Sequence, residues 1–515
     1  MASPSDAGDS LFESLTKVDP KKAEAQAKEL EERLLAQNVK AQNRLRELIG
    51  SNSTLPVTIN KVLLVGGGHT RRSFLDPIFN PLLSVNRDRP YTLGEALHEV
   101  GSVATKLERF GIFKEPISTF IDRPSQTDPS TTVTDIDVYI RAQERGRFSA
   151  KTGTDIGNAE GSAYGEVQLR NIFGGAESLN LNASAGTRTR SSYQAIFDTP
   201  VLSDPEKRIT IDALASSTHK PWASHEEGLT GGGLKYSWAT KSGMRHQLAY
   251  TGVWRQITGL GEKASPTVRN DAGDSVKSSI THTWLADRLN HPLLPSRGYL
   301  IKTVSEIAGW GPLKGDVGFL KSEIVTTGAL PIPIPGIKGD SGVSLTAGLR
   351  SGFLLPLPVG FGGASQPSRI NDRFILGGPT DVRGFKMGGL GPHDGSDSVG
   401  GDVYAAGSAN LLVPFPRVGK DAPLRLQLFA NAGRLLPLKD SKGKGKAEAG
   451  KSVQKDFYST VSQLGDGLPS TAVGVGVVYA HPVARFELNF SLPLVMRRGE
   501  EGRKGLQFGV GINFL

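Results

Sequence analysis

A chain of 515 residues with no cysteine has no disulfide and no cysteine-ligated metal, and its length suits several domains or one large barrel. The formal charge of +9 comes from scattered basic residues with one cluster and no aromatic-rich basic motif, which argues against nucleic acid as a partner. No apolar run reaches the ~18 residues of a membrane helix, whereas barrel strands of ~10 residues, apolar on one face only, leave no such run to find.

Met1 to Leu15 holds Asp6, Asp9 and Glu13 and no basic residue, so it fits neither a signal peptide nor an Arg-rich transit peptide. Lys21 to Ile49, rich in Ala, Glu, Lys, Gln, Leu and Arg, predicts a helix that Gly50 should stop. Its apolar positions are too sparse for a long coiled coil, so residues 1–54 read as a helical arm.

Residues 55–145 read as a small α+β domain. Val57 to Val65 is a strand with Val57, Ile59, Leu63 and Val65 on one face and Lys61 interrupting it. Arg71 to Leu83 has helical character that Pro77 and Pro81 should kink or shorten. Thr92 to Phe110 is a helix with Thr92 as N-cap and Gly111 as its stop. Ser118 to Ile121 and Thr132 to Arg141 complete a β-α-α-β-β order, with a turn-rich tip at Pro124 to Pro129.

From residue 146 to 515 the pattern is strands separated by Gly, Pro, Asn, Asp and Ser clusters, about sixteen of them, as an even-numbered antiparallel barrel requires. In 483–492, Phe486, Leu488, Phe490 and Leu492 share one face while Arg485, Glu487, Asn489 and Ser491 share the other. The last ten residues alternate in the same way, so the final strand needs a partner, and the first strand would close the barrel. That first strand, Phe148, Ser149, Ala150, Lys151, Thr152, Gly153 and Thr154, is polar and should hold the seam weakly. A soluble sandwich also alternates, but seldom strings together so many long strands without a helix. The fold class expected is therefore an all-β transmembrane barrel with one small α+β domain.

Two long segments break the regularity, 355–400 and 437–469. The second, with Lys439, Lys442, Lys444, Lys446 and Lys451 among Gly and Ala, reads as a solvated, unstructured excursion; the functional alternative is contact with anionic lipid or an acidic partner. The first contains Val382-Arg383-Gly384-Phe385, where Gly384 permits a tight turn and Arg383 is, on residue chemistry alone, a loop arginine. Gly66-Gly67-Gly68-His69 lacks nucleotide-binding spacing, and no metal or nucleophile constellation stands out, so neither cofactor nor metal nor enzymatic activity is expected.

Val382-Arg383-Gly384-Phe385 resembles the lumenal-loop motif of the POTRA-plus-barrel outer-membrane assembly and translocation superfamily. Asp287 to Gly298 resembles that family's turn between the eighth and ninth strands, and Phe429-Ala430-Asn431-Ala432-Gly433 its F-x-D-x-G wall motif. The α+β region is similar to one POTRA domain. Gln507, Gly509, Ile512 and Phe514 stand where a mitochondrial β-signal places its polar, glycine and apolar residues. A single POTRA-like unit and that terminal pattern resemble the mitochondrial sorting and assembly branch, of fungal type.

The resemblance implies a barrel in the mitochondrial outer membrane with its POTRA domain in the intermembrane space. It implies insertion of β-barrel precursors by strand pairing at a lateral gate formed by residues 148–154 and the last strand. It implies as partners peripheral subunits of the same complex, precursor proteins and membrane lipid. It also places Arg383 against Phe429 and Asn431 inside the barrel. Asn431 stands in place of the family's acid, which leaves Glu487 as a candidate counter-ion. The alternatives are a protein- or solute-conducting pore of the same superfamily and a soluble β-rich protein.

Overall fold

The computed structural model describes residues 20–84, 89–124, 131–157, 160–335, 341–362, 365–415, 419, 422–438, 449–482 and 484–511. The chain divides into two compact units, Met1–Arg145 and Gly146–Leu515.

In the first unit a helix, Pro20–Asn52, runs through Gly50 rather than stopping there. A glycine ends a helix by turning left-handed, and Gly50 is not among the glycines with positive φ. A four-stranded sheet follows, in the order Tyr91–Thr92, Pro56–Val65, Asp135–Arg141, Ser118–Asp122, with its central pair parallel.

The helix Arg72–Ser84 is continuous although Pro77 and Pro81 lie inside it. Its stripe of Phe74, Leu75, Ile78, Phe79 and Leu82 is buried. Five such side chains at ~1.5–3 kcal/mol each outweigh two prolines at ~3 kcal/mol each. The helix Leu93–Arg109 begins with a full capping box: the Thr92 hydroxyl accepts from the Glu95 N–H and the Glu95 carboxylate accepts from the Thr92 N–H.

The first strand departs from its expected face. Its pairing shifts between Ile59 and Lys61, and a one-residue slip inverts everything beyond it. Val57 and Ile59 are buried, whereas Leu63 and Val65 are exposed.

The second unit is one sixteen-stranded antiparallel sheet in chain order, from Phe148–Gly157 to Gly505–Gly511. Its outward positions are apolar and exposed, Leu181, Tyr250, Trp254, Ile280, Leu428 and Phe490 among them. A belt of that kind needs lipid as its solvent. No helix among the described residues is long and apolar enough to cross a membrane.

Inside, the segment between the eleventh strand, Ser344–Pro356, and the twelfth, Val403–Pro414, folds into the barrel. It forms a core there, with Phe374, Leu376, Val382, Phe385 and Leu390 buried against Leu354 and Tyr404 of the wall. The second long segment is not structureless: Ala449–Leu464 is a helix. Its apolar residues Val453, Phe457 and Leu464, four and seven apart, keep a helical spacing in the sequence that the surrounding Lys, Gly and Ser obscure.

Every neighbouring pair of strands in the barrel is laddered except one. The last strand comes within 8 Å of the first, Cα to Cα, yet among the described residues no strand pairing joins them.

Candidate functional site

The inward segment is fixed at its arginine. Arg383 is 0% exposed. Its Nε and one terminal nitrogen donate to the two carboxylate oxygens of Glu487, at 2.9 and 3.2 Å. The other terminal nitrogen lies 3.3 Å from the Asn431 oxygen and 3.4 Å from the Asn410 oxygen. The guanidinium also sits over the Phe429 ring, 5.0 Å from its centroid.

Glu487 is itself buried and answers two cations. Arg485 reaches it at 2.5 Å, and the Asn489 amide donates to it at 2.7 Å. Arg485 further donates to the Gln427 side chain at 3.1 Å and to the Leu293 carbonyl at 3.1 Å. Leu293 lies in the Asp287-to-Gly298 turn, so one inner-wall network joins the turn, the wall motif and the loop. A carboxylate between two guanidiniums, with every partner inside a low-dielectric core, is a geometry that breaks sharply when one member is removed.

Why these residues bring the loop here is local. The thirteenth strand, Leu424–Leu436, points Gln427, Phe429 and Asn431 inward because successive side chains alternate faces. Gly433, on the same face, makes room: a Cβ there would stand 2.9 Å from Leu376 and 3.1 Å from Val382. Gly384 is left-handed at φ +88°, and a Cβ on it would meet the Ala472 Cβ at 2.6 Å.

The loop is also stitched to the end of the chain. The Gln507 side-chain oxygen accepts from the Gly384 N–H at 2.8 Å and from the Ser491 hydroxyl at 3.2 Å. Its amide donates to the Phe385 carbonyl at 3.3 Å. Backbone bonds from Lys386 to Glu501 and from Arg503 to Gly384 extend the seam. Gln507, read from sequence as the polar residue of a terminal signal, thus faces the lumen and grips the arginine loop. Gly509 is buried on the same face while Leu506 and Phe508 face out. Ile512 and Phe514 lie outside the described residues.

Of the residues singled out in the first strand, Phe148, Ala150, Thr152 and Thr154 share the outward face, and Ser149, Lys151 and Gly153 the inward one, with Lys151 opposite Glu166. The structure brings Val382, Arg383, Gly384, Phe385, Phe429, Asn431 and Glu487 together and leaves residues 148–154 apart from them. Residue patterns did not reveal Asn410, Arg485 and Gln427 as parts of the site, although the inward position of the last two was readable. Two further anchors also went unseen: Asp381 bonds Arg350 at 2.8 Å, and Asp372 bonds Arg255 at 2.6 Å. Among the described residues no cluster of His, Asp and Glu could hold a metal.

A barrel of this strand number with an inward loop pinned by a buried arginine defines a class, and residues 171–514 match the Omp85 superfamily domain. A SAM50-like protein of Schizosaccharomyces pombe is 38% identical over 473 residues, covering 92% of this chain and 94% of the relative. The human sorting and assembly machinery component 50 homolog is 32% identical over 82% of this chain and 84% of its own. The Saccharomyces cerevisiae sorting assembly machinery 50 kDa subunit is 26% identical over 91% and 96%. BamA from Haemophilus ducreyi lacking POTRA domains 1–3 superposes with a TM-score of 0.67 at 15% identity, over 88% of this chain and 84% of that one. The chain belongs to the SAM50 family of the Omp85 superfamily.

Proposed function

We propose that this protein folds and inserts β-barrel precursors into the mitochondrial outer membrane by pairing their terminal strand at a gate between its own first and last strands. One observation carries the gate: the boundary between Phe148–Gly157 and Gly505–Gly511 is the only one in the sheet without a ladder among the described residues. Unpaired backbone groups on such edges are a template for an incoming strand. No nucleotide or covalent step is required, because satisfying backbone groups and burying lipid-facing side chains drives insertion.

The relatives named as sorting and assembly machinery components support this reading. In it, residues 55–145 act as a POTRA domain in the intermembrane space, residues 1–54 as its arm, and peripheral subunits of the complex and precursors as partners. The Gln507 clamp gives the gate a hold on the lumen: it fixes the last strand to the arginine loop, so the first strand is the side free to move. The test is cross-linking from Lys151→Cys, clean because the chain has no other cysteine. The precursor's last strand is expected to be captured there. Strong capture elsewhere with none at this position would sink the gate.

A further inference from the structure

The helix Ala449–Leu464 lies at the end of the barrel where the inward loop enters, between the thirteenth strand and the fourteenth, Ser470–Ala480. It packs on the outside of the wall. Phe457 meets Phe353 edge-to-face, with ring centroids 5.4 Å apart. Phe353 is an outward position, since its neighbour Leu354 belongs to the inner core. Val403, outward on the twelfth strand and cross-paired with Phe353, is buried. Arg434, also outward, donates to the carbonyls of Leu464 and Asp466 at 3.0 and 2.6 Å and so caps the C-terminus of the helix. Arg497 adds a bond to the Leu468 carbonyl at 2.9 Å.

One face of the helix is accounted for by this docking: Phe457 meets Phe353, Thr460 is buried, and Leu464 ends at the Arg434 cap. Its flank and far side are not. Tyr458 is 71% exposed and Val461 40%, and Leu468 just beyond the helix is 73% exposed. In the sequence, Lys451 and Lys455 stand seven and three residues before Tyr458. They close a stretch, 437–456, with six lysines against three acidic residues. An apolar and aromatic strip with lysines near it in the sequence, docked against a lipid-facing wall at its rim, has the chemistry of an interfacial helix.

We propose that this helix is a membrane-surface foot: Tyr458, Val461 and Leu468 sink into the headgroup region beside the barrel, and Lys451 and Lys455 hold anionic lipid. The occupant is lipid rather than an acidic protein, because the helix is docked on the surface that lipid wets and its free face carries apolar side chains beside the charges. Fixed to strands eleven to thirteen, on the wall away from the seam, it would hold the barrel at one depth and tilt while the seam moves.

The absence of cysteine makes the test direct. Full-length protein labelled at Val461→Cys with an environment-sensitive fluorophore is reconstituted in phosphatidylcholine vesicles, with or without an equal share of phosphatidylserine. The label should be blue-shifted, quenched by spin-labelled lipid and shielded from aqueous iodide, more so with phosphatidylserine. Each lysine near an anionic surface is worth roughly fivefold in partition, so Lys451→Gln with Lys455→Gln should lower the docked-to-free ratio by roughly 25-fold. Raised salt should do the same, while a label at outward Leu428→Cys stays lipid-quenched throughout and reports that the barrel is intact. Equal iodide access in both vesicle types would overturn the proposal. So would shielding that needs peripheral subunits to be added, which would assign the face to a protein.

Discussion

At the scale of single residues, the inner site is governed by an imbalance: two guanidiniums share one carboxylate. Removing Arg383 leaves Glu487 still paired with Arg485 at 2.5 Å. Removing the Glu487 charge takes from two guanidiniums in the same core the carboxylate they share. Breaking a buried pair at one end costs ~3–5 kcal/mol, and the arginine deletion should fall below that range because a partner remains. Glu487→Gln is therefore expected to lower the thermal unfolding temperature in detergent more than Arg383→Ala, and protease should reach the loop more readily in both. The reverse order would show that Arg485 is no real partner of the carboxylate. Gln507→Leu removes three hydrogen bonds, two of them to the loop backbone, and should loosen the last strand while leaving Arg383 paired. Sequence alone could nominate Arg383, Phe429 and Glu487, since a motif and strand alternation mark them. Asn410 and Arg350 sit on ordinary strands and become partners only once the sheet closes around the loop. Gln507 was visible as an inward polar residue because that direction is local information; what it touches, 123 residues away, is not.

At the scale of elements, local signals succeeded where local forces decide. The helix Leu93–Arg109 starts where Thr92 and Glu95 form their reciprocal cap. Thr92→Ala should cost about 1 kcal/mol, read as faster hydrogen exchange across residues 93–109 of the full chain. Signals failed where packing overrides them: Pro77 and Pro81 sit in an unbroken helix, and the bulge after Ile59 turns Leu63 and Val65 outward. Gly50 has helical freedom to stop a helix but no local reason to use it.

The same α+β unit carries a pH signature. Partial burial would raise the Glu144 carboxyl, but bonds from the Thr70 hydroxyl at 2.8 Å and from the His69 ring and backbone at 2.7 and 3.0 Å outweigh it, and the group stays below its ordinary value. A carboxyl depressed on folding adds stability above the unfolded value of about 4.3, and that stability is lost as pH falls through the lower folded value. Glu144→Gln should thus destabilise this unit at neutral pH, with the difference from the parent shrinking as acid protonates the parent's own carboxyl. A gap that stays constant down to strong acid would mean the side chain acts through shape, not charge.

At the scale of the whole molecule, strand count and strand order were readable in advance, because alternation and turn residues repeat sixteen times and each repeat supports the next; the inward loop was implied only by the resemblance of Val382 to Phe385. What alternation cannot report is whether the sheet closes, since both edges look like any other strand from within. The seam is therefore a matter of energetics. A strand in the middle of the sheet, such as Leu424–Leu436, is laddered on both sides. Phe148–Gly157 and Gly505–Gly511 are each laddered on one side among the described residues. Amides that point into the seam should open with less free energy, and every ~1.4 kcal/mol less is tenfold faster exchange. Hydrogen exchange of the protein in lipid nanodiscs should then show these two strands exchanging about tenfold faster or more than residues 424–436. The last strand should be the slower of the two, because Gln507 and the Arg503–Gly384 bond tie it to the loop. Gln507→Leu should narrow that difference. If instead both edges are as protected as the centre, the barrel is closed at rest, and a precursor strand would first have to break a ladder it could otherwise have joined.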